Sequence, residues 1–455
     1  MTMTKSTKPN QMKLGLFVRP VDHHVASWRH PDSHADANVN FQRFVEMAQT
    51  AERGCFDMMF SADTQSAWTT SPDGLHRMHY VAWIEPFTQM AALSGFTRHI
   101  GLVCTASTTY EEPFALARKF ASLDLVSVGR AGWNLITSGN ETEAQNFGRT
   151  AHPPKVERYR RAREFAQVVV GLWNSWDADA FVRDRASGMF FDPDKMHVLD
   201  HHGKYFSVRG PLNVPRSPQG QPVLVQAGTS EDGMELAAET AEVIFAAQSR
   251  LDGGQAFYAG VKGRMAKYRR DPEHLKILPG LAVTVGGTEE EAKKKYATMQ
   301  DLIHPDVGLG LLSRRIGFDL TGYPLDGPLP ELPKNDVVAS RADAVAEMAK
   351  REKLTIRQLY QRFAGARGHL EVIGTPEQIA DTMQQWVEQN AADGFNVILP
   401  YFPGGLNDFV DGVIPELQRR GLFRTAYESS TLRGNLGLPI PQYHHANMRE
   451  LEAAS

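Results

Sequence analysis

Cysteine is almost missing from this chain. Cys55 and Cys104 are the only two among 455 residues, and each lies in an apolar stretch. That excludes a disulfide framework and a cysteine-rich metal centre, and it predicts a reducing, cytoplasmic setting. Long hydrophobic runs are missing too. No stretch of about 18 apolar residues signals a membrane span, and the polar opening "MTMTKSTKPNQMKLGLF" is unlike a secretory leader. Charge of one sign is not in excess: 49 Lys and Arg against 53 Asp and Glu leave −4, with no long basic run. Nucleic acid is therefore not an expected partner.

Two motifs are absent as well. No G-x-G-x-x-G follows the first strand candidate, which counts against a Rossmann domain, and no H-E-x-x-H spacing signals zinc. Histidines come as adjacent pairs at 23–24, 201–202 and 444–445. Neighbours on a strand or helix face different ways, so such pairs chelate poorly and read as solvated loop histidines.

What is present is an alternation of short apolar runs with helical patterns. Strands are expected at 13–18, 56–63, 100–108, 131–137, 222–228, 243–248, 278–285 and 395–401. Most are nearly continuous in apolar residues, as strands covered on both faces should be. Helices are expected at 41–54, 85–96 and 112–127. A further one at 374–394 opens with Thr375, Pro376 and Gln378, which read as a capping box with a proline start. Eight strands in this order predict an α/β fold, a TIM-type (β/α)8 barrel in one domain spanning 1–455. Long insertions follow strands 4 and 7, at 139–221 and 286–372, where lids and oligomer contacts are expected. Residues 424–455 read as a peripheral tail. The run "VERYRRAREF" (156–165) reads as an amphipathic helix with an exposed basic face.

Active sites in such barrels lie at the C-terminal ends of the strands. The residues expected there are Asp63, then Thr105, Ser107, Thr108 and Thr109, then Asn134, Thr137 and Ser138, then Gln226, Gly228, Thr229 and Ser230. They are neutral hydrogen-bonding groups with a single carboxylate, a set that suits a flat, polar, uncharged heterocycle. Within "GRAGWNLITS" (129–138), Asn134 stands out, because a buried amide without partners costs about 1–3 kcal/mol. In "AGTSEDG" (227–233) a strand ends in a glycine turn and Ser230 is placed to cap a helix. Free backbone N–H groups there suit a phosphate, although Glu231 and Asp232 in the first turn oppose an anion.

Taken together, "SWRHPD", "RGCFDMMFSAD", "TASTTYEEPFALARKFASLD", "GRAGWNLITS", "AQNFG", "ERYRRAREF" and "DGFNVILPYFPGGLNDFVDGVIPELQRRGLFR" resemble one family in order along most of the chain. It is the bacterial luciferase-like flavin-dependent monooxygenases, in the branch acting on nitrilotriacetate, EDTA, dibenzothiophene sulfone and long-chain alkanes. The resemblance implies a cofactor, FMN as FMNH2, supplied by a separate NAD(P)H:flavin reductase, and a homodimer or homotetramer. It implies that Asp63, Thr105, Asn134, Tyr159, Gly228 and Ser230 line the flavin site. The family's usual His four residues before the Tyr of "ERY" is Lys155 here. Either Lys155 meets the phosphate as a cation or His152 replaces the imidazole. The alkane enzyme's catalytic His falls on Gly139, so His23, His24 and His152 are left as catalytic candidates.

Oxygen chemistry would then belong to the cofactor, while the protein orients it and excludes water. The loop at 64–86 carries Trp68, Met78, Tyr80 and Trp83, which suggest an apolar or aromatic substrate, interrupted by His76, Arg77 and His79. C–S cleavage, C–N cleavage and hydroxylation all remain open. Two other readings stand beside this one: a deazaflavin-dependent oxidoreductase of the same superfamily, and a barrel that binds flavin without catalysis.

Overall fold

The computed structural model describes residues 11–19, 21–67, 72–332, 339–365 and 367–442. Trp68 and the 444–445 histidine pair lie outside them. Apart from a short antiparallel pair in the first insertion, His201–His202 with Ser207–Val208, the strands are β1 (Lys13–Val18), β2 (Met58–Ser61), β3 (Gly101–Ser107), β4 (Ala131–Ile136), β5 (Val223–Ala227), β6 (Val243–Ala246), β7 (Lys276–Val285), β8 (Leu370–Gly374) and β9 (Gly394–Ile398). These nine pair in parallel, and eight of them close into a barrel in the order β1 to β7, then β9 and back to β1. Each of the eight expected runs holds one barrel strand.

β8 was not expected. It joins β7 outside the barrel, where β7 runs on: Lys276–Pro279 pair with β6, Gly280–Ala282 with β9, and Leu281–Val285 with β8. The extra strand thus fixes the end of the second insertion to the barrel wall.

The longer helices are α1 (Phe41–Arg53), α2 (Pro86–Leu93), α3 (Pro113–Val126), α4 (Lys155–Trp173), α5 (Glu231–Thr240), α6 (Leu251–Arg264), α7 (Glu289–Asp301), α8 (Pro305–Ile316), α9 (Ala339–Glu352), α10 (Ile356–Gly365) and α11 (Pro376–Glu388). The Thr375–Gln378 capping box forms at the start of α11, both bonds present. Strand alternation divides the core in two. Leu102, Cys104 and Trp133 face outward onto Phe120, Phe165 and Trp173 of the helical layer. Phe17, Met58, Phe60, Val103, Val225 and Leu278 fill the barrel interior.

Three sequence readings are corrected. α4 exposes only part of its basic face: Arg160 is exposed and Arg163 pairs with Glu239 of α5 at 2.6 Å, whereas Arg158 donates to the carbonyls of Thr137 and Ser138 and Arg161 to that of Thr108. These bonds tie the helix to the strand ends. His23 and His24 are not solvated but buried, each 4% exposed. Val21 (φ +56°) and Asp22 (φ +85°) turn the chain inward just ahead of them. Residues 424–442 are not peripheral. Leu432, Leu436 and Leu438 belong to the interior cluster, and the Leu432 N–H bonds to the Gly129 carbonyl below β4. Buried Arg424 pairs with Asp57, which also accepts the Leu14 N–H at 2.7 Å. The segment closes the N-terminal end of the barrel, because interior apolar side chains there have no other cover.

Over the opposite end, the second insertion forms its own apolar cluster. Ile303, Val307, Leu312, Ile356, Leu359 and Tyr360 pack with Val25, Met78 and Tyr80. The loop after β2 and the helices after β7 are thereby one cover beside the mouth. Met78 and Tyr80 pack it rather than lining an open apolar pocket.

Candidate active site at the barrel mouth

Thr105 and Asn134 are adjacent in register across β3 and β4, both on the inward face. The Asn134 Nδ2 donates to Thr105 Oγ1 at 2.8 Å, and Thr105 Oγ1 donates to the Ser61 carbonyl at 2.7 Å. Because the Thr105 proton is committed to a carbonyl, its oxygen only accepts from Asn134, which assigns the amide orientation. The Asn134 Oδ1 is left buried without a partner. An orphaned acceptor of this kind in a native interior needs an explanation.

Asp63 lies beyond the end of β2 and lines, with Thr105, Trp83, Glu85 and Asn146, a cleft of about 580 Å3. Burial, then the neighbouring Glu85, pushes its carboxyl up to about 7. Thus Asp63, Thr105 and Asn134 form one group.

Lys155, Tyr159, Gly228 and Ser230 form a second, where α4 meets the start of α5. Gly228 has φ +141°, a conformation that side-chain-bearing residues rarely adopt, and a Cβ there would meet nothing within 4 Å. This leaves an open cradle. Its N–H bonds to the Phe245 carbonyl at 3.3 Å, linking the cradle to the mouth. Ser230 caps α5, its Oγ accepting from the Gly233 N–H at 3.3 Å, with the Tyr159 hydroxyl 3.4 Å away. The two acids of that turn are paired, Asp232 with Lys155 at 3.1 Å and Glu231 with Arg264 at 2.6 Å. Their opposition to an anion is thereby reduced.

The three histidine candidates do not converge. His152 is held in the first insertion, its Nδ1 on the Tyr110 hydroxyl. His24 accepts the Ala26 N–H and, together with His23, lines a small cavity beside Gln300 of α7. Only His23 reaches the mouth, packing edge-on against Phe17 at 5.4 Å and against His369 at 5.8 Å. Burial, then Arg367 and Arg19, keep its imidazole well below the usual range, so it is neutral near pH 7.

Phe17, Phe60 and Phe245 form an aromatic floor, and His369 stacks on Phe245 at 5.1 Å. Around it stand Tyr80 of the 64–86 loop, which the sequence reading singled out, and Arg19 and Arg367, which it did not. Arg19 was accessible to it, lying two residues beyond Phe17 and just past the end of β1. Arg367 and His369 lie in the second insertion, where no local pattern aims them at the barrel.

The chain matches the family model of luciferase-like monooxygenases over residues 22–393. It belongs to that family. N-acetyl-S-(2-succino)cysteine monooxygenase of Bacillus subtilis is 53% identical over 445 residues, covering 97% of this chain and all of that one. Nitrilotriacetate monooxygenase component A of Aminobacter aminovorans is 52% identical over 441 residues, 95% of this chain and 97% of that one. Among solved structures, a riboflavin lyase with modified FMN and substrate riboflavin has a TM-score of 0.83 at 31% identity, covering 95% and 97% of the two chains. This luciferase-like protein is thus an enzyme and a monooxygenase, built on the TIM-type barrel expected from its strands. No helix among its described residues is long and apolar enough to cross a membrane.

Proposed function

We propose that the protein is the oxygenase component of a two-component system, binding reduced FMN at the barrel mouth and using O2 to oxidise a small organic molecule. The observation that carries this reading is the Asn134 Oδ1, buried without a partner at the end of a fixed relay. It is an acceptor for a ring N–H. The residues fit an uncharged heterocycle with an anionic tail. Asn134 and Thr105 would hold the ring, while Lys155, Tyr159, Ser230 and the N-terminus of α5 would hold the phosphate beside the Gly228 cradle. The bound cofactor supplies the oxygen-activating chemistry.

The protein's part is to orient and to keep water out. The relay through Thr105 to the Ser61 carbonyl fixes the Asn134 amide before anything binds. The cover built on Met78, Tyr80 and α8 to α10 shields the mouth. His23, neutral beside the floor with both ring nitrogens unpartnered, is placed to hydrogen-bond a bound molecule. FMN in a similar structure and the "component A" of a relative's name support the cofactor and a separate reductase. Val182, Met189 and Phe190 are exposed on the first insertion, which supports a homo-oligomer contact there.

The test is oxygen uptake with FMN and an added NAD(P)H:flavin reductase, followed by a mass shift in candidate substrates. Substrate-stimulated uptake with incorporation of one oxygen atom is expected. Activity with reduced deazaflavin instead, or no binding of reduced FMN at micromolar concentration, would overturn the proposal.

A further inference from the structure

Arg19 and Arg367 face the same aromatic ring from two elements distant in sequence. Their guanidinium carbons lie 5.6 and 5.0 Å from the centre of the Tyr80 ring, and Arg367 also donates to the Tyr80 hydroxyl. Arg19 lies 5.8 Å from the Phe17 ring as well, which places it over the floor. The Nε of each arginine is buried without a partner. Among the described residues, no carboxylate pairs with either one, although most other enclosed arginines have an acid or a set of carbonyls. Arg424 has Asp57, Arg433 has Glu242, and Arg130 bonds to four carbonyls.

Nothing nearby neutralises this charge. Burial, then Arg367, lowers Arg19 to about 10, which leaves it protonated at neutral pH. Burial, then Arg19 and Arg367, lowers His369 to about 4. Burial alone raises Asp22 to about 8, so it is the neutral acid near pH 7. Two like charges this close and only partly open to water are costly without a counter-charge, and a ligand with matching negative charge relieves them. Guanidinium groups match planar carboxylates in both geometry and hydrogen-bond count.

We infer that Arg19 and Arg367 form a carboxylate clamp, and that the substrate is a small polycarboxylate held over the Phe17–Phe245 floor. This rests on the flavin monooxygenase reading for its chemistry but not for its binding. None of the clamp's residues contacts the Lys155, Tyr159 and Ser230 corner assigned to the cofactor's phosphate. A polycarboxylate contrasts with the apolar substrate suggested by the 64–86 loop, where Met78 packs the cover and Tyr80 holds the two arginines.

The experiment is calorimetric titration of the FMN-loaded full chain with nitrilotriacetate, its trimethyl ester and dibenzothiophene sulfone. Arg19→Gln and Arg367→Gln are titrated alongside, and FMN affinity is read by fluorescence for every protein. Expected is binding of the tricarboxylate, at least a hundredfold weaker binding of the ester, and at least a tenfold loss in each Gln variant with FMN affinity unchanged. Arg19→Lys and Arg367→Lys keep the charge and are expected to recover part of the loss. Melting curves confirm that each variant folds, and where a Gln variant does not fold, its Lys variant and the ester comparison decide. Preferential binding of the ester or the sulfone, equal affinity in the folded Gln variants, or a loss confined to FMN would overturn the clamp. The last result would assign the arginines to the cofactor. Tricarboxylate binding without any FMN-dependent oxygen uptake would sink the monooxygenase reading while leaving the clamp standing.

Discussion

Replacing Asn134 by Leu separates the stability of the fold from its function, because the two effects carry opposite signs. In the flavin-free protein the side chain makes one neutral hydrogen bond, from Nδ2 to Thr105, and leaves Oδ1 buried without a partner. Losing the bond costs about 0.5–1.5 kcal/mol, and removing the unsatisfied acceptor returns about 1–3 kcal/mol. Thr105 keeps its own donation to Ser61, and Leu reproduces the forked shape of Asn, although its larger volume takes back part of the gain. The flavin-free variant is therefore expected to melt at the same temperature as the parent or slightly above it. With reduced FMN bound, the variant loses the ring contact that Oδ1 would make. A neutral hydrogen bond of about 1–1.5 kcal/mol corresponds to roughly a five- to tenfold weaker affinity. Melting curves without flavin, and anaerobic fluorescence titration with reduced FMN, read the two quantities separately. A lower melting temperature with unchanged flavin affinity would refute the reasoning and make Asn134 a structural residue.

Asp22 offers a test in pH. Its folded carboxyl is raised to about 8 by burial, above the unfolded value of about 3.9. The folded state therefore holds more protons, and stability falls as pH rises from about 4 to 8. Asp22→Asn is expected to remove that part of the fall and to stabilise the protein most above pH 8, read by urea unfolding across pH; an unchanged profile would contradict it. Gly228→Ala forces a side chain to φ +141° with no clash, so about 1–3 kcal/mol of backbone strain should appear as lower folding stability in urea unfolding; an unchanged unfolding midpoint would contradict it. Arg424→Ala strands the buried Asp57 carboxylate and is expected to cost about 3–5 kcal/mol. Adding Asp57→Asn should restore part of that loss in the same denaturation assay.

Barrel strands are the most legible part of such a sequence, since parallel strands sealed on both faces are written as apolar runs. The same alternation tells Trp133 from Asn134: one faces the helical layer, the other the interior. Capping chemistry marked Ser230 and Thr375 for the same local reason. Burial of His23 was not legible, because it follows from left-handed turns at Val21 and Asp22, two residues with no glycine to announce them. β8 was hidden in a mostly helical insertion, and among the described residues it pairs with the overrunning end of β7 alone. Arg19 could have been found by counting two from Phe17. Arg367 could not, since it reaches the mouth through tertiary packing alone.

The segment under the barrel has a consequence for how the chain is made. Leu432 sits beneath β3 and β4, and Arg424 completes the charge of Asp57 beside β1. The first strands to leave the ribosome are thus closed by residues made hundreds of codons later. Until then Asp57 lacks its cation and the lower barrel is open to water, so the nascent chain depends on being kept from aggregating. A stop codon after Phe423 would leave every barrel strand intact and still yield a protein without a floor.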